Sequence, residues 1–278
     1  MPETMKTSLV VMLFWAALPS VGFAATEIKL LYIGSESDAA YLGARQGLTE
    51  ANLQGQFLGQ KYVIDVRAPD ALPADALSGV VAVLSTLEAD RLPGLAASAT
   101  GVPVFNLRAT EDSLRAACIS NVLHVIPSAA MLRDAVAQWQ KVNPGAKVGA
   151  NAWHGDFMKY AGRDLNKRFR AASGQAMDDS SWAGWAAVKM TSDTIARLND
   201  ANPAAVLQFL RHDLRFDGQK GAEMSFRDSG QLRQPLLLVD NGKILGEAPV
   251  RGVADADDLD SLGNGICRAQ KQDLPGAE

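Results

Sequence analysis

The side chains that could do chemistry in this sequence sit in short polar clusters, each at the end of an apolar run. Ser35, Glu36 and Asp38 follow the run at 28–33, Ser85 and Thr86 close "GVVAVLST", and Asn106 and Arg108 close "VPVFNLR". Together they offer hydroxyl and amide hydrogen bonds and one guanidinium. That set suits a small polar ligand. Arg108 would meet an anionic group with two parallel N–H donors, and Ser85 and Thr86 would donate from their hydroxyls. The same residue types also cap helices, so each cluster has a plainer use.

Nothing in these clusters pairs a nucleophile with a base. His124, His154 and His212 are far apart, and the sequence has no HExxH, GxSxG or Walker loop. His124 stands inside an apolar run and reads as a core residue. No enzyme and no cofactor is expected. Four aspartates, Asp255, Asp257, Asp258 and Asp260, crowd "DADDLDSLGNG". Clustered carboxylates attract hard cations. Here Leu259 stands where the third oxygen ligand of an EF-hand belongs and no Glu closes the loop, so a solvated acidic loop is the reading.

"EANLQGQFLGQKY", residues 50–62, raises the question of a phosphate loop. A phosphate-cradling loop follows a strand and opens a helix, where free amides meet the anion. Here the order is reversed. Gly55 and Gly59 follow a helical pattern and precede "YVIDV", so the stretch joins helix to strand, with Gly55 expected at the helix C-terminus with positive φ.

The elements that must position these clusters alternate. Strands are expected at 28–33, in "YVIDVRAP", "GVVAVLS", "VPVFNL" and "NVLHVIP". Helices are expected between them: one on which Ala39, Leu42, Gly43, Gly47 and Leu48 recur at helical spacing, a short one at 73–77, one through "TLEADRLPGLAASAT" interrupted by Pro93, and "ATEDSLRAACIS". Strands and helices at this spacing predict an α/β fold with a doubly wound parallel sheet built from right-handed crossovers. In such sheets ligands bind outside the carboxyl ends of the strands, where the polar clusters lie. A helix capped by Ser128 is expected at 128–141, two more at 156–172 and 180–199, and another from Pro203 to Arg211. Asn241-Gly242 between two apolar runs predicts a type I′ hairpin.

The first residues address the chain to a compartment. Lys6, an apolar run at 9–18, Pro19, and small residues at Gly22 and Ala24 form the pattern of a secretory signal peptide over 1–24. The remaining chain has no second long apolar run, so no membrane insertion is expected after cleavage. Its length suits one large domain or two small ones. The composition, 47% hydrophobic and 21% charged with a net charge of −4, is ordinary for a globular core. It lacks the basic face that nucleic acid demands. Cys118 and Cys267 are the two cysteines. An even count in an exported protein favours one disulfide. No Cys or His at ligand spacing supports a metal site instead.

Several stretches together resemble type I periplasmic substrate-binding proteins of ABC transporters: "YLGARQGLTEANLQGQFLGQKY", "VFNLRATEDSLRAACISNVLHVIPSAAMLRDAVAQW", "DLNKRFRAASGQAMDDSSWAGWAAVKM", "RFDGQKGAEMSFRDSGQLRQPLLLV" and "LDSLGNGIC". More narrowly they are similar to the branch encoded beside pyrroloquinoline-quinone-dependent alcohol dehydrogenases. The resemblance runs from Glu27 to Cys267. It implies a periplasmic component of an ABC transport system, with a permease or another periplasmic protein as partner and a small molecule as ligand. It also implies that Cys118 and Cys267 are paired.

The sequence departs from that family in one respect. The helix at 128–141 should open a second lobe, yet the segment beginning at 164 already returns to the first. A βαβ unit takes about 30 residues, so the second lobe is expected to be a small helical remnant. The expected organisation is a signal peptide at 1–24, one α/β lobe from 26–126 and 165–250, the remnant at 127–164, and a tail at 251–278 tied back by the disulfide. A competing expectation is an interaction module without a ligand cleft. It would dock a partner or a second copy on an exposed strand edge, with Trp139 and Trp153 as anchors.

Overall fold

The computed structural model describes residues 25–70, 75–263 and 267. The signal-peptide segment lies outside the described residues, as do Pro73 and Ala74 of the short helix expected at 73–77. The remainder of that stretch is a turn.

Five strands form a parallel sheet: β1 (Thr26–Ile33), β2 (Gln60–Arg67), β3 (Val80–Ser85), β4 (Val104–Asn106) and β5 (Val122–His124), in the order β2-β1-β3-β4-β5. The doubly wound α/β fold read from the sequence is therefore present. β1 is buried on both faces because its successive side chains feed two cores. Leu30 and Tyr32 point to one side, and Leu31 and Ile33 to the other. Helices α2 (Leu92–Ser98) and α3 (Asp112–Ala116) cover the Leu31 side. On the Tyr32 side lie α1 (Ala39–Leu58), α5 (Gly162–Ser173), α6 (Asp179–Leu198) and α7 (Pro203–His212).

The segment at 230–232 runs parallel to β5, with His124 N–H donating to the Gly230 carbonyl at 2.7 Å and Leu232 N–H to the His124 carbonyl at 3.0 Å. The β5 edge is thus covered. That edge is therefore not open for docking another strand.

α1 and α6 pack in close contact because three glycines remove side chains at their crossing. A Cβ on Gly43 would collide with the Ser181 carbonyl, and one on Gly184 with the Ala40 carbonyl. One on Gly47 would press on Val188 at 2.9 Å.

Two expectations about local breakers are corrected. Pro93 does not interrupt a helix: it sits in the first turn of α2, where its missing N–H costs nothing. Gly55 is not a C-terminal residue with positive φ. It lies inside α1, where any Cβ would strike the Gln60 carbonyl, and Gly59 makes the left-handed C-cap at φ 64°. Ser128 caps α4 (Ala129–Val142) as read, accepting from Met131 N–H at 3.1 Å.

A second, small layer consists of α4 on a three-stranded antiparallel sheet: β6 (Gly149–Asn151), β7 (Leu236–Asp240) and β8 (Lys243–Ala248), in the order β6-β7-β8. The remnant read from the sequence was helical, and it placed 236–248 with the main lobe. The hairpin pairs instead with β6. One face of it, Leu236, Leu238 and Ala248, packs against Met131 and Ala135 of α4. From the other face Leu237, Val239 and Ile244 join the main core. A hairpin with apolar residues on both faces has to be covered twice, and its turn chemistry does not say by what. Asn241 and Gly242 both take positive φ, as a type I′ turn requires.

Candidate functional site

The strand order reverses direction between β1 and β3, so the loops leaving their carboxyl ends diverge and open a crevice. A cleft of about 390 Å3 lies there, lined by Gly34, Ser35, Asp38, Thr86, Arg91 and Arg108 among others.

Asp38 organises its floor. One carboxylate oxygen, Oδ2, accepts from Ser35 N–H at 2.9 Å and lies 3.1 Å from both the Tyr32 hydroxyl and the Thr86 hydroxyl. Asp38 stands at the N-cap of α1 without a side-chain capping bond, because its carboxylate turns back into the loop. Burial, with the Asp38 charge second, pushes the Tyr32 phenol far above its usual range. The Tyr32 hydroxyl therefore stays protonated as a donor. No side chain fits at position 34: a Cβ there would collide with Thr86 Oγ1 and Asp38 Oδ2.

The seven residues read from the sequence divide into three groups. Ser35, Asp38, Thr86 and Arg108 line the cleft together. Ser85 and Asn106 are fully buried beneath it. Ser85 Oγ accepts from Leu87 N–H at 3.2 Å. Asn106 Oδ1 accepts from Ala109 N–H at 2.9 Å, and its Nδ2 donates to the Ala109 carbonyl at 2.7 Å. These two shape the loops rather than face the cleft. Glu36 is exposed and is not among the lining residues.

Arg108 Nη2 pairs with Glu88 Oε1 at 2.7 Å, so an anion arriving there would have to displace Glu88. Arg91, which the sequence reading passed over, holds the opposite wall. It binds Asp70 Oδ1 and the Pro69 carbonyl, both at 2.8 Å. It stands at the N-cap of α2, and its contact with the loop after β2 holds it at the crevice.

The remaining chemistry-bearing residues lie elsewhere. His124 is buried, and Asn106 Nδ2 donates to its Nδ1 at 2.9 Å. Burial, and then the Arg115 charge, keeps it neutral well below the usual histidine range. Trp153 is 1% exposed and stacks on Trp182 with ring centroids 6.0 Å apart, so it cannot anchor a partner. Trp139 lays its ring over Gly246 in β8.

In the acidic loop Asp260 pairs with Arg227 at 2.8 Å and Arg233 at 3.0 Å. Among the described residues no group of three or more His, Cys, Asp or Glu could hold a metal ion. A wider groove of about 620 Å3 separates α4 from the loop at 252–261. Three of its polar residues are engaged in closing the fold: Gln138 binds Ser261 and the Val250 N–H, and Asp134 the Gly263 N–H. Cys118 and Cys267 form a disulfide spanning 149 residues.

No protein-family model matches the sequence, and no curated protein sequence matches it. Solved structures do match the fold. An ABC transporter substrate-binding protein from Desulfitobacterium hafniense has a TM-score of 0.68 at 14% identity, over 79% of this chain and 99% of the other. An amino acid ABC transporter substrate-binding protein from Pseudomonas fluorescens Pf-5 has a TM-score of 0.66 at 13% identity, over 87% and 99%. The branched-chain amino acid transporter substrate binding protein LivJ from Streptococcus pneumoniae, in complex with isoleucine, has a TM-score of 0.65 at 12% identity, over 80% and 99%. At these identities the likeness is one of architecture: this chain has the fold of the type I periplasmic binding proteins.

Proposed function

We propose that this chain is an exported, periplasmic substrate-binding-protein-like component of an ABC transport system linked to quinoprotein alcohol oxidation. In this reading it is not an enzyme. Its ligand is a small molecule seated in the switch-point cleft, with an anionic group that takes Arg108 from Glu88. Ser35 and Thr86 complete the seat. The observation that carries the reading is the convergence of Ser35, Asp38, Thr86 and Arg108 on one crevice at the reversal of strand order. The solved neighbours are described as substrate-binding proteins, one holding isoleucine and another leucine. The link to alcohol oxidation rests on the sequence resemblance alone. The small layer of α4 and β6–β8 stands, in this proposal, in place of a full second lobe.

A thermal-shift screen with amino acids, carboxylic acids, alcohols, pyrroloquinoline quinone and lanthanide ions tests it. A ligand at one hundred times its Kd stabilises by about 2.7 kcal/mol, and Arg108→Ala should abolish that shift. The second reading, an interaction module without a ligand, is favoured by Leu53 and Phe57, 58% and 89% exposed on one side of α1. A screen without any shift, together with Leu53 and Phe57 variants that change self-association or partner binding, would put that reading first.

A further inference from the structure

Two guanidiniums flank the switch-point cleft, and they come from opposite sides of it. In the strand order β2-β1-β3-β4, the crevice opens between the loops after β1 and β3. Arg108 follows β4 on one side. Arg91 is held on the other by Asp70 and the Pro69 carbonyl, in the loop after β2, both at 2.8 Å. Both arginines line the cleft.

Each has N–H groups left over. A guanidinium carries five. Arg91 uses Nη1 and Nη2 in its two contacts, and its Nε makes no hydrogen bond among the described residues. Arg108 makes one contact, from Nη2 to Glu88 Oε1 at 2.7 Å. The carboxylates that hold the two arginines are weak competitors. The Asp70 side chain is 89% exposed and that of Glu88 60%. Exposed ion pairs of this kind contribute little, and a carboxylate released from one returns to water.

The carboxylates of the lining are themselves committed. Asp38 Oδ2 is shared by the Ser35 amide and the Tyr32 and Thr86 hydroxyls, and Glu88 is on Arg108. The cleft therefore presents two cations with free N–H groups, and neither of its carboxylates is unengaged. That balance suits a second anionic group better than the ammonium of a zwitterion.

The strand spacing sets the scale. Neighbouring strands lie about 4.8 Å apart, so the three intervals from β2 to β4 separate the two walls by about 14 Å. A bidentate guanidinium–carboxylate contact, with N···O of about 2.8 Å, puts the two central carbons about 4 Å apart. Two such contacts leave about 6 Å or less between the carboxyl carbons, the reach of a chain of roughly four to six carbons. The Ser35 and Thr86 loops, after β1 and β3, lie between the two walls.

We propose that the ligand of this cleft is a small dicarboxylate, one carboxylate on Arg108 and the other on Arg91, with Glu88 and Asp70 giving way. This rests on the ligand reading above and narrows it: that reading needs one anionic group, and this one needs two.

Isothermal titration calorimetry at low ionic strength, with succinate, glutarate, adipate and leucine as probes, tests it. At least one diacid should bind. The monomethyl ester of the tightest diacid keeps the length and loses one charge, and it should bind about tenfold or more weakly. Arg91→Gln and Arg108→Gln should each weaken the diacid by a similar factor. In Arg91→Gln the diacid and its ester should bind within about twofold of each other, because the second carboxylate has lost its partner. The ester comparison uses the wild-type chain, so it decides the question even where a variant fails to fold. Equal binding of diacid and ester to the wild type would overturn the proposal and leave the single-anion reading standing. So would leucine binding more tightly than every diacid, or a diacid indifferent to Arg91→Gln. Absence of binding by all three diacids would also overturn it, whereas the broader reading falls only when the whole thermal-shift screen gives no response.

Discussion

Asp38 Oδ2 and Thr86 Oγ1 meet at 3.1 Å across the point where the strand order reverses, joining the loop after β1 to the loop after β3. The contact spends the carboxylate on the protein itself. Asp38 is therefore a positioning residue for the cleft, and the proposed ligand-facing groups are Ser35, Thr86 and Arg108. Asp38→Ala would leave the Tyr32 hydroxyl and the Ser35 amide short of an acceptor, at a cost of about 1–3 kcal/mol for a buried orphan. Asp38→Asn retains one acceptor oxygen and should cost less. Urea unfolding of the two variants checks the order; equal losses, or none, would show that the carboxylate does not organise the loops.

The helix crossing of α1 on α6 is the most sterically demanding place in the main core, since Gly43 and Gly184 each face a backbone carbonyl of the other helix. Backbone cannot yield as a flexible side chain does. Gly43→Val or Gly184→Val should separate the helices and cost at least about 1–3 kcal/mol, the range for overpacking. A nearby control, Gly94→Ala on α2, meets open space and should be close to neutral or slightly stabilising. Thermal denaturation of the three variants separates steric cost from a general intolerance of glycine replacement.

The disulfide ties α3's exit to the end of the described chain. Arg227 reinforces the same closure through the carbonyls of Leu259, Leu262 and Gly263. Reduction should cost about 2–5 kcal/mol by freeing a long loop in the unfolded chain. A Cys118→Ser, Cys267→Ser double variant should show the same lowered Tm with no response to reductant. A wild-type Tm indifferent to reductant would mean that Arg227 and its carbonyl contacts carry the closure alone.

How much of this was legible in the sequence depended on the range of the signal. The five parallel strands, the Ser128 cap and the Asn241-Gly242 turn are written in local pattern, and each formed. What escaped was set by distant partners. Gly55 looked like a helix end because nothing near it reveals that the Gln60 carbonyl returns to touch it. The hairpin at 236–248 was recognisable as a hairpin, but its partner strand at 149–151 has only three residues and little apolar character. In the cleft, strand-end polarity pointed to Ser35, Thr86 and Arg108. Burial beneath the loops, which alternation along a strand does not report, withdrew Ser85 and Asn106. Arg91 and Glu88 enter only through the fold.

The buried histidine makes acid stability testable. The unfolded chain binds a proton on His124 at its ordinary pKa of 6.5, whereas in the folded protein burial, and then the Arg115 charge, moves that proton to much lower pH. Below 6.5 the unfolded state thus binds more protons, and stability falls as pH falls. The slope from one such group is up to about 1.4 kcal/mol per pH unit. The contribution is fully present above 6.5 and is lost downward from there. Lys220 acts in a higher window: its folded pKa of about 7 lies below the unfolded 10.5, so between those values stability rises with pH. Urea unfolding of wild type, His124→Gln and Lys220→Met across both windows assigns each slope. His124→Gln should flatten the limb below 6.5 and leave the alkaline limb intact, and Lys220→Met should do the reverse. If His124→Gln left the acid limb as steep as in wild type, some other group would be responsible for it and the neutral state assigned to His124 would be wrong.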